Sequence, residues 1–188
     1  GTAPFGAVPH SPRNNRLVPH FYFHFTLFDK MSLQSDQRLV VPGGTWCNKM
    51  IKYTYTAEHI TPAMLQGFFV DWPNPPSDKT HLNLLKNSDM IVLATDTKKH
   101  IVIGFITAVT DNVLSCYIPF LEVLPEYQHK GIGKKLVHRM FKKLKSAYMV
   151  DLMCDTNLEV FYKRFKMQPS SGMILRNYKK QSGVKAIL

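Results

Sequence analysis

Apolar residues recur along this chain with two different periods, and the switches between them mark its elements. Ile51, Tyr53 and Tyr55 alternate with Lys52, Thr54 and Thr56, which predicts a strand over 50–56. Thr61 followed by Pro62 offers an N-cap with proline at the first helical position, so a helix is expected over 63–70. The prolines at 73, 75 and 76 make a stiff loop, and a second helix is expected over 77–86. Residues 90–95 read as a buried strand, 96–100 as its turn and 101–109 as the antiparallel return. A long strand covers 113–124, and Pro119 inside it cannot donate to a ladder, which predicts a bulge or splay there. Ile132, Leu136, Val137, Met140, Phe141 and Leu144 then take up helical spacing. A strand over 148–154, a short helix over 158–165 and a last strand over 173–178 complete the series. The order is β-α-α-β-β-β-α-β-α-β over 50–178, within an α/β (α+β) domain expected over 50–188.

Upstream of that domain the pattern breaks down. Residues 1–30 begin with Gly1, carry Pro4, Pro9, Pro12 and Pro19, and contain one acid, Asp29. They read as a non-native, vector-derived leader, with 31–49 as an extension holding the turn Pro42-Gly43-Gly44. Within the leader, 21–28 is rich in aromatics and would seek a sheet edge or another chain. His10, His20 and His24 have no companions at metal-ligand spacing.

Composition narrows the class. Hydrophobic residues make up 45% and charged residues 20%, as in soluble globular proteins, and no apolar run is long enough to span a membrane. Cys47, Cys116 and Cys154 are odd in number and lack C-x-x-C spacing, so neither a disulfide framework nor a zinc site is indicated. Cys116 and Cys154 fall in apolar runs and are expected in the core; a cytoplasmic setting fits them. The formal charge of +11 has a placement. Lys130, Lys134, Lys135, Arg139, Lys142, Lys143 and Lys145 crowd the stretch after Tyr127, which holds no acid. Such a balance suits a polyanion.

The sequence around those lysines names the kind of anion. The long strand runs through Pro125 into Gln128-His129-Lys130-Gly131-Ile132-Gly133 and then a helix. Two glycines let successive N–H groups converge at the positive end of the helix dipole. A G-x-x-x-x-G-K-[ST] loop would need glycine at 128 and a hydroxyl at 135, where Gln128 and Lys135 stand; a G-x-G-x-x-G fingerprint would need glycine at 136, which is Leu136. What remains resembles the acetyl-CoA pyrophosphate loop of GNAT superfamily N-acetyltransferases, Q/R-x-x-G-x-G/A. The element order fits the same family. So does the stretch from Asp155 to Phe165, which resembles the family's N-x-x-A-x-x-F/L-Y-x-K/R-x-G-F block, except that Phe165-Lys166-Met167 replaces the usual glycine-phenylalanine.

That resemblance, to a small bacterial-type member, implies a mixed sheet of six to seven strands, mostly antiparallel, splayed at the cofactor site and flanked by about four helices. It implies coenzyme A bound by the amides of His129, Lys130, Gly131, Ile132, Gly133 and Lys134, with side-chain help from Gln128 and Lys130. It also implies pantetheine and thioester contacts from Leu121 and Val123, and Asn157 and Phe161 beside them. Tyr162 matches the family's acid for the departing thiolate, and a phenol suits that task. Glu122 is the carboxylate within the long strand, a candidate base acting through water, or else a partner for a helix lysine; a water chain is the alternative base. Trp72, Asn74 and Tyr117 are expected at the acceptor pocket, with Phe68 and Phe69 in the core. The implied reaction is transfer of an acetyl group to a primary amine, small molecule before protein, by a monomer or homodimer. A catalytically weak acyl-CoA sensor is the second reading. A nucleic-acid module lacks any supporting motif, and no membrane partner is indicated.

Overall fold

The structure, a computed structural model, describes residues 51–183. The leader, the strand expected at 21–28, the turn at 42–44 and Cys47 lie outside the described residues. Five strands form one sheet in sequence order: β1 (Ile51–Thr54), β2 (Met90–Asp96), β3 (Ile101–Thr110), β4 (Ser115–Val123) and β5 (Met149–Leu152). The first four are antiparallel neighbours, whereas β5 runs parallel to β4. A parallel neighbour needs a crossover, and helix α2 (Ile132–Lys143) supplies it. α1 (Asp78–Asn87) and a 3-10 turn at Pro62–Leu65 cover one face; α2 covers the other.

β3 is buried from Val102 to Ala108 without alternation, as a strand covered on both faces must be. On the α1 side, the Phe105 ring meets those of Phe68, Phe69 and His81 at 5.1, 6.1 and 4.5 Å. On the α2 side, a Cβ at Gly104 would lie 3.2 Å from Leu136 Cδ1 and 3.1 Å from the Glu122 carbonyl oxygen. Glycine at 104 therefore sets how closely the helix approaches. The basic outer face of α2 is tied to the far edge of the sheet, Arg139 over the Tyr53 ring at 4.4 Å and Lys143 over Tyr55 at 5.0 Å. α1 starts where Ser77 Oγ accepts from the Thr80 amide at 3.2 Å, with Asp78 in its first turn and Lys86 in its last.

The bulge expected at Pro119 is present. Thr107 pairs with Phe120 but Val109 with Tyr117, so Ile118 and Pro119 together oppose Ala108. The β4–β5 ladder runs from Ser115–Met149 to Ile118–Leu152 and ends there.

Two expected elements are absent among the described residues. The helix over 63–70 is reduced to the turn Pro62–Leu65, because Gly67, Phe69 and Asp71 take φ of 84°, 59° and 63°. A right-handed helix cannot pass through left-handed residues. The strand over 173–178 is not formed: 170–177 is irregular, with Met173 and Leu175 fully exposed. Strand propensity alone does not make a strand without a ladder partner. Among the described residues the sheet thus has five strands and the fold three α-helices, fewer than the six to seven and four expected. Cys116 is buried as expected, but Cys154 is exposed, because β5 stops at Leu152. No helix among the described residues is long and apolar enough to cross a membrane.

His81 is 1% exposed among Phe68, Phe69 and Phe105, and its ring nitrogens make no hydrogen bond of good geometry among the described residues, the Leu65 backbone being a weak neighbour. Burial lowers its pKa from 6.5 to about 4, with the Leu65 backbone opposing. The unfolded chain therefore binds a proton that the fold refuses, and stability held above pH 6.5 is lost as pH falls towards about 4. His81→Phe removes this loss. Urea unfolding should show the variant gaining about 2–3 kcal/mol on the parent between about pH 7 and about pH 4.5. A difference that stays constant with pH would take His81 out of the acid response.

Candidate active site at the β4–β5 gap

The β3–β4 ladder decides which groups of β4 are free. The Leu124 amide donates to the Ile103 carbonyl at 3.0 Å, so Val123–Gly104, one step back, is a non-hydrogen-bonded pair. The N–H and C=O of Val123, and by alternation those of Leu121, point away from β3 to the side where β5 has already ended. By the same alternation, position 119 also faces that side, and Pro119 has no N–H to offer. An open gap results, edged by main-chain donors and acceptors.

The chain leaves β4 through a 3-10 turn at Pro125–Tyr127, closed by Tyr127 N to Leu124 O at 2.8 Å and Gln128 N to Pro125 O at 3.2 Å. His129 and Gly131 take φ of 58° and 74°, and α2 begins at Ile132 with Gly131 as its N-cap. The first helical bond is Lys135 N to Gly131 O at 3.1 Å. From His129 to Lys134, the main-chain amides have no acceptor among the described residues. A Cβ at Gly131 would meet nothing within 4 Å, so the space beside that residue is open. Gly133 faces inward, its virtual Cβ 3.8 Å from Val123 Cγ2 and 3.9 Å from Phe161 Cζ. The loop, the end of β4 and α3 (Glu159–Lys163) therefore meet at one place.

Two side chains expected to reach the ligand are engaged elsewhere. Gln128 Nε2 donates to the Val123 carbonyl at 3.0 Å, and Lys130 Nζ donates to the Glu126 carbonyl while lying over the Tyr127 ring. Gln128 thus satisfies the carbonyl that the gap left without a strand partner. What Val123 keeps free is its N–H.

Glu122 projects to the opposite face of β4. Its Oε1 accepts from the amides of Phe69 at 2.8 Å and Val70 at 3.4 Å, and not from a helix lysine. Burial lifts its pKa from 4.5 to about 7, against the lowering effect of those amides. The left-handed turn at Phe69 delivers these donors, and nothing in the local sequence announces it. The Tyr162 hydroxyl is held far above the usual phenol range by burial, with the Cys154 thiol adding to the effect. Tyr162 itself is buried on α3, its ring 5.0 Å from that of Phe161. Asn157 is exposed in the 3-10 turn Thr156–Leu158 that leads into α3.

The expected acceptor residues divide. Trp72 lies on the Glu122 side, its ring 5.1 Å from Phe69 and 6.4 Å from Phe120. Tyr117 shares that face beyond the bulge and is exposed. Asn74 is exposed, with its amide bound to Gln181 Oε1 at 3.1 Å. Phe68 and Phe69 are core, as expected. A separate groove of about 460 Å³, lined by Tyr55, Glu58, Lys86 and Asp89 among others, lies at the C-terminal end of α1 and holds none of these residues.

Comparison with known proteins bears on the family and the fold. A putative acetyltransferase from Deinococcus radiodurans superposes with a TM-score of 0.70 at 40% identity, covering 72% of this chain and 94% of that one. A GNAT-family acetyltransferase from Streptococcus pneumoniae gives a TM-score of 0.53 at 29% identity over 68% of this chain and 98% of its own. The uncharacterised N-acetyltransferase ycf52 of Pyropia yezoensis is 28% identical over 99 residues, 50% of this chain and 56% of that protein. The chain thus spans about half the length of the curated relatives it matches. The model of the acetyltransferase (GNAT) family matches residues 57–166, more than half of the chain, and the protein belongs to that family.

Proposed function

We propose that this protein is an acetyl-CoA-dependent N-acetyltransferase, passing an acetyl group to the primary amine of a small molecule by direct attack within a ternary complex. The observation that carries this reading is the run of acceptorless amides from His129 to Lys134, opening a helix beside the free N–H of Val123. Acetyl-CoA supplies an activated thioester. The amides of His129, Lys130, Gly131, Ile132, Gly133 and Lys134 hold its diphosphate, helped by the dipole of α2. Leu121 offers main-chain groups to the pantetheine arm, and Val123 N–H is directed at the thioester oxygen, where negative charge grows during attack. Asn157 and Phe161 form the opposite wall. Gln128 acts through the backbone it anchors.

Protons have two stations. Glu122, with a pKa of about 7, is poised to take one from the ammonium form of the acceptor. Tyr162 stays protonated across the working range; it would donate to the departing thiolate and regain its proton from the second one that the acceptor nitrogen sheds on becoming an amide. Trp72 and Tyr117 on the Glu122 face suit a compact cationic or amphipathic amine, with Asn74 at the rim.

A panel of amines assayed by thiol release tests the activity; tight CoA binding with no turnover on any acceptor would indicate a sensor instead. Because the base works deprotonated, kcat/KM should rise as pH passes through about 7, and Glu122→Gln should flatten that limb and lower the plateau. An unchanged limb in the variant assigns it to another group. Tyr162→Phe should cut kcat by about 10²-fold with CoA affinity kept; an unchanged kcat removes Tyr162 from the chemistry. Gly131→Glu should abolish CoA binding in calorimetry, and retained affinity would mean that the phosphates bind elsewhere.

A further inference from the structure

Just upstream of the proposed cofactor loop sits a polar cluster that its chemistry does not use. Tyr127, 3% exposed, is the last residue before Gln128 and donates its hydroxyl to Asp96 Oδ2 at 3.0 Å. Asp96, also 3% exposed, is the last residue of β2. Its other oxygen accepts from the amides of Lys98 at 3.0 Å and Lys99 at 3.2 Å. One carboxylate therefore ties the β2–β3 turn to the loop after β4. The Tyr127 ring carries two ammonium groups as well, Lys99 at 5.4 Å and Lys130 at 5.1 Å, the second also bound to the Glu126 carbonyl. The ring thus helps fix a lysine within the loop itself.

We propose that Tyr127 and Asp96 are a positioning pair: they touch no substrate but hold the start of the 128–134 segment, so that its amides converge before coenzyme A arrives. The inference rests on reading that segment as the diphosphate site. Amides aimed in advance lose less freedom on binding, so a loosened loop should bind the same ligand more weakly. Removing the hydroxyl leaves Oδ1 bound to its own turn, but takes from Oδ2 the donor that reaches it from the loop, so the link is cut at some cost in stability. Affinity should therefore fall by more than the loss of stability alone explains, which a core variant of matched stability can show.

Titration calorimetry with free coenzyme A tests it on Tyr127→Phe, which keeps the buried ring. We expect Kd to rise about five- to tenfold, with a modest fall in thermal midpoint because Asp96 Oδ2 loses its donor. Asp96→Asn should weaken binding too, and the double variant should bind no more weakly than the worse single, since both break one link. Ile91→Val, a trim of the same strand's core, should leave Kd unchanged and so controls for general loosening. A Kd for Tyr127→Phe within twofold of the parent overturns the proposal, as does strict additivity in the double variant. If Asp96→Asn fails to fold, Tyr127→Phe decides alone. Gly131→Glu separates the layers: if it loses CoA while Tyr127→Phe is unchanged, only the positioning pair falls; if it retains CoA, the diphosphate site itself is misplaced.

Discussion

A parallel ladder that stops at Ile118 is the constraint on which the rest of the site depends. Up to that residue β4 is an interior strand; beyond it β4 is held on one side only. Pro119 enforces the change twice. It removes a donor from the side facing β5, and it sits in the bulge that lets Phe120 resume pairing with Thr107. An unpaired main-chain group in a protein interior is costly, so such a gap persists only if its groups find other partners. One of them has done so: the Val123 carbonyl is taken by the Gln128 side chain. The Val123 N–H remains on the open side, beside a helix start whose amides are equally uncommitted.

Gap and helix start are adjacent by construction. β4 ends, three residues of 3-10 turn reverse the chain, and α2 returns over the sheet face that carries the Val123 side chain. Glycine at 104 allows the close approach of Leu136, and the helix's first turn at Gly133 lies next to Val123 and Phe161. The positive end of the helix is therefore fixed near the free edge by core packing. The lysines further along α2 serve another purpose: Lys142 and Lys143 sit at the negative end of the dipole, and Arg139 and Lys143 lie over Tyr53 of β1 and Tyr55 just beyond it. A chain formally charged +11 thus divides its basic residues between a proposed ligand and its own architecture.

How legible this was in the sequence depended on whether the signal was local. The loop could be read because glycine spacing, a preceding apolar strand and a following amphipathic helix all lie within one short segment. Pro119 could be read because a missing N–H is a property of the residue itself. The five strands were legible from alternation and buried runs, though β5 proved shorter than its apolar stretch, leaving Cys154 outside it. What could not be read was nonlocal. Residues 63–70 carry a good helix start, but Gly67, Phe69 and Asp71 take left-handed conformations. Residues 173–178 have strand composition but no ladder partner among the described residues. Likewise, the link between Asp96 and Tyr127 spans 31 positions, and either residue alone reads as ordinary turn chemistry.

The segment that failed to be a helix supplies the carboxylate's environment. Phe69 is a non-glycine residue at φ 59°, a conformation tolerated only where the surroundings dictate it. Here they do: its ring is gripped by His81 at 4.9 Å, Trp72 at 5.1 Å and Phe120 at 6.0 Å. Held that way, its N–H points at Glu122. The same aromatic cluster shields the carboxylate from water, and shielding outweighs the two amides, so the pKa settles near neutrality and not below the usual carboxylate value. Had this stretch been helical, its amides would have been consumed by its own hydrogen bonds. The left-handed turn frees them, and the core that enforces the turn also makes Glu122 reluctant to ionise. Packing and acid–base character on this face are therefore one property, set by the rings around Phe69.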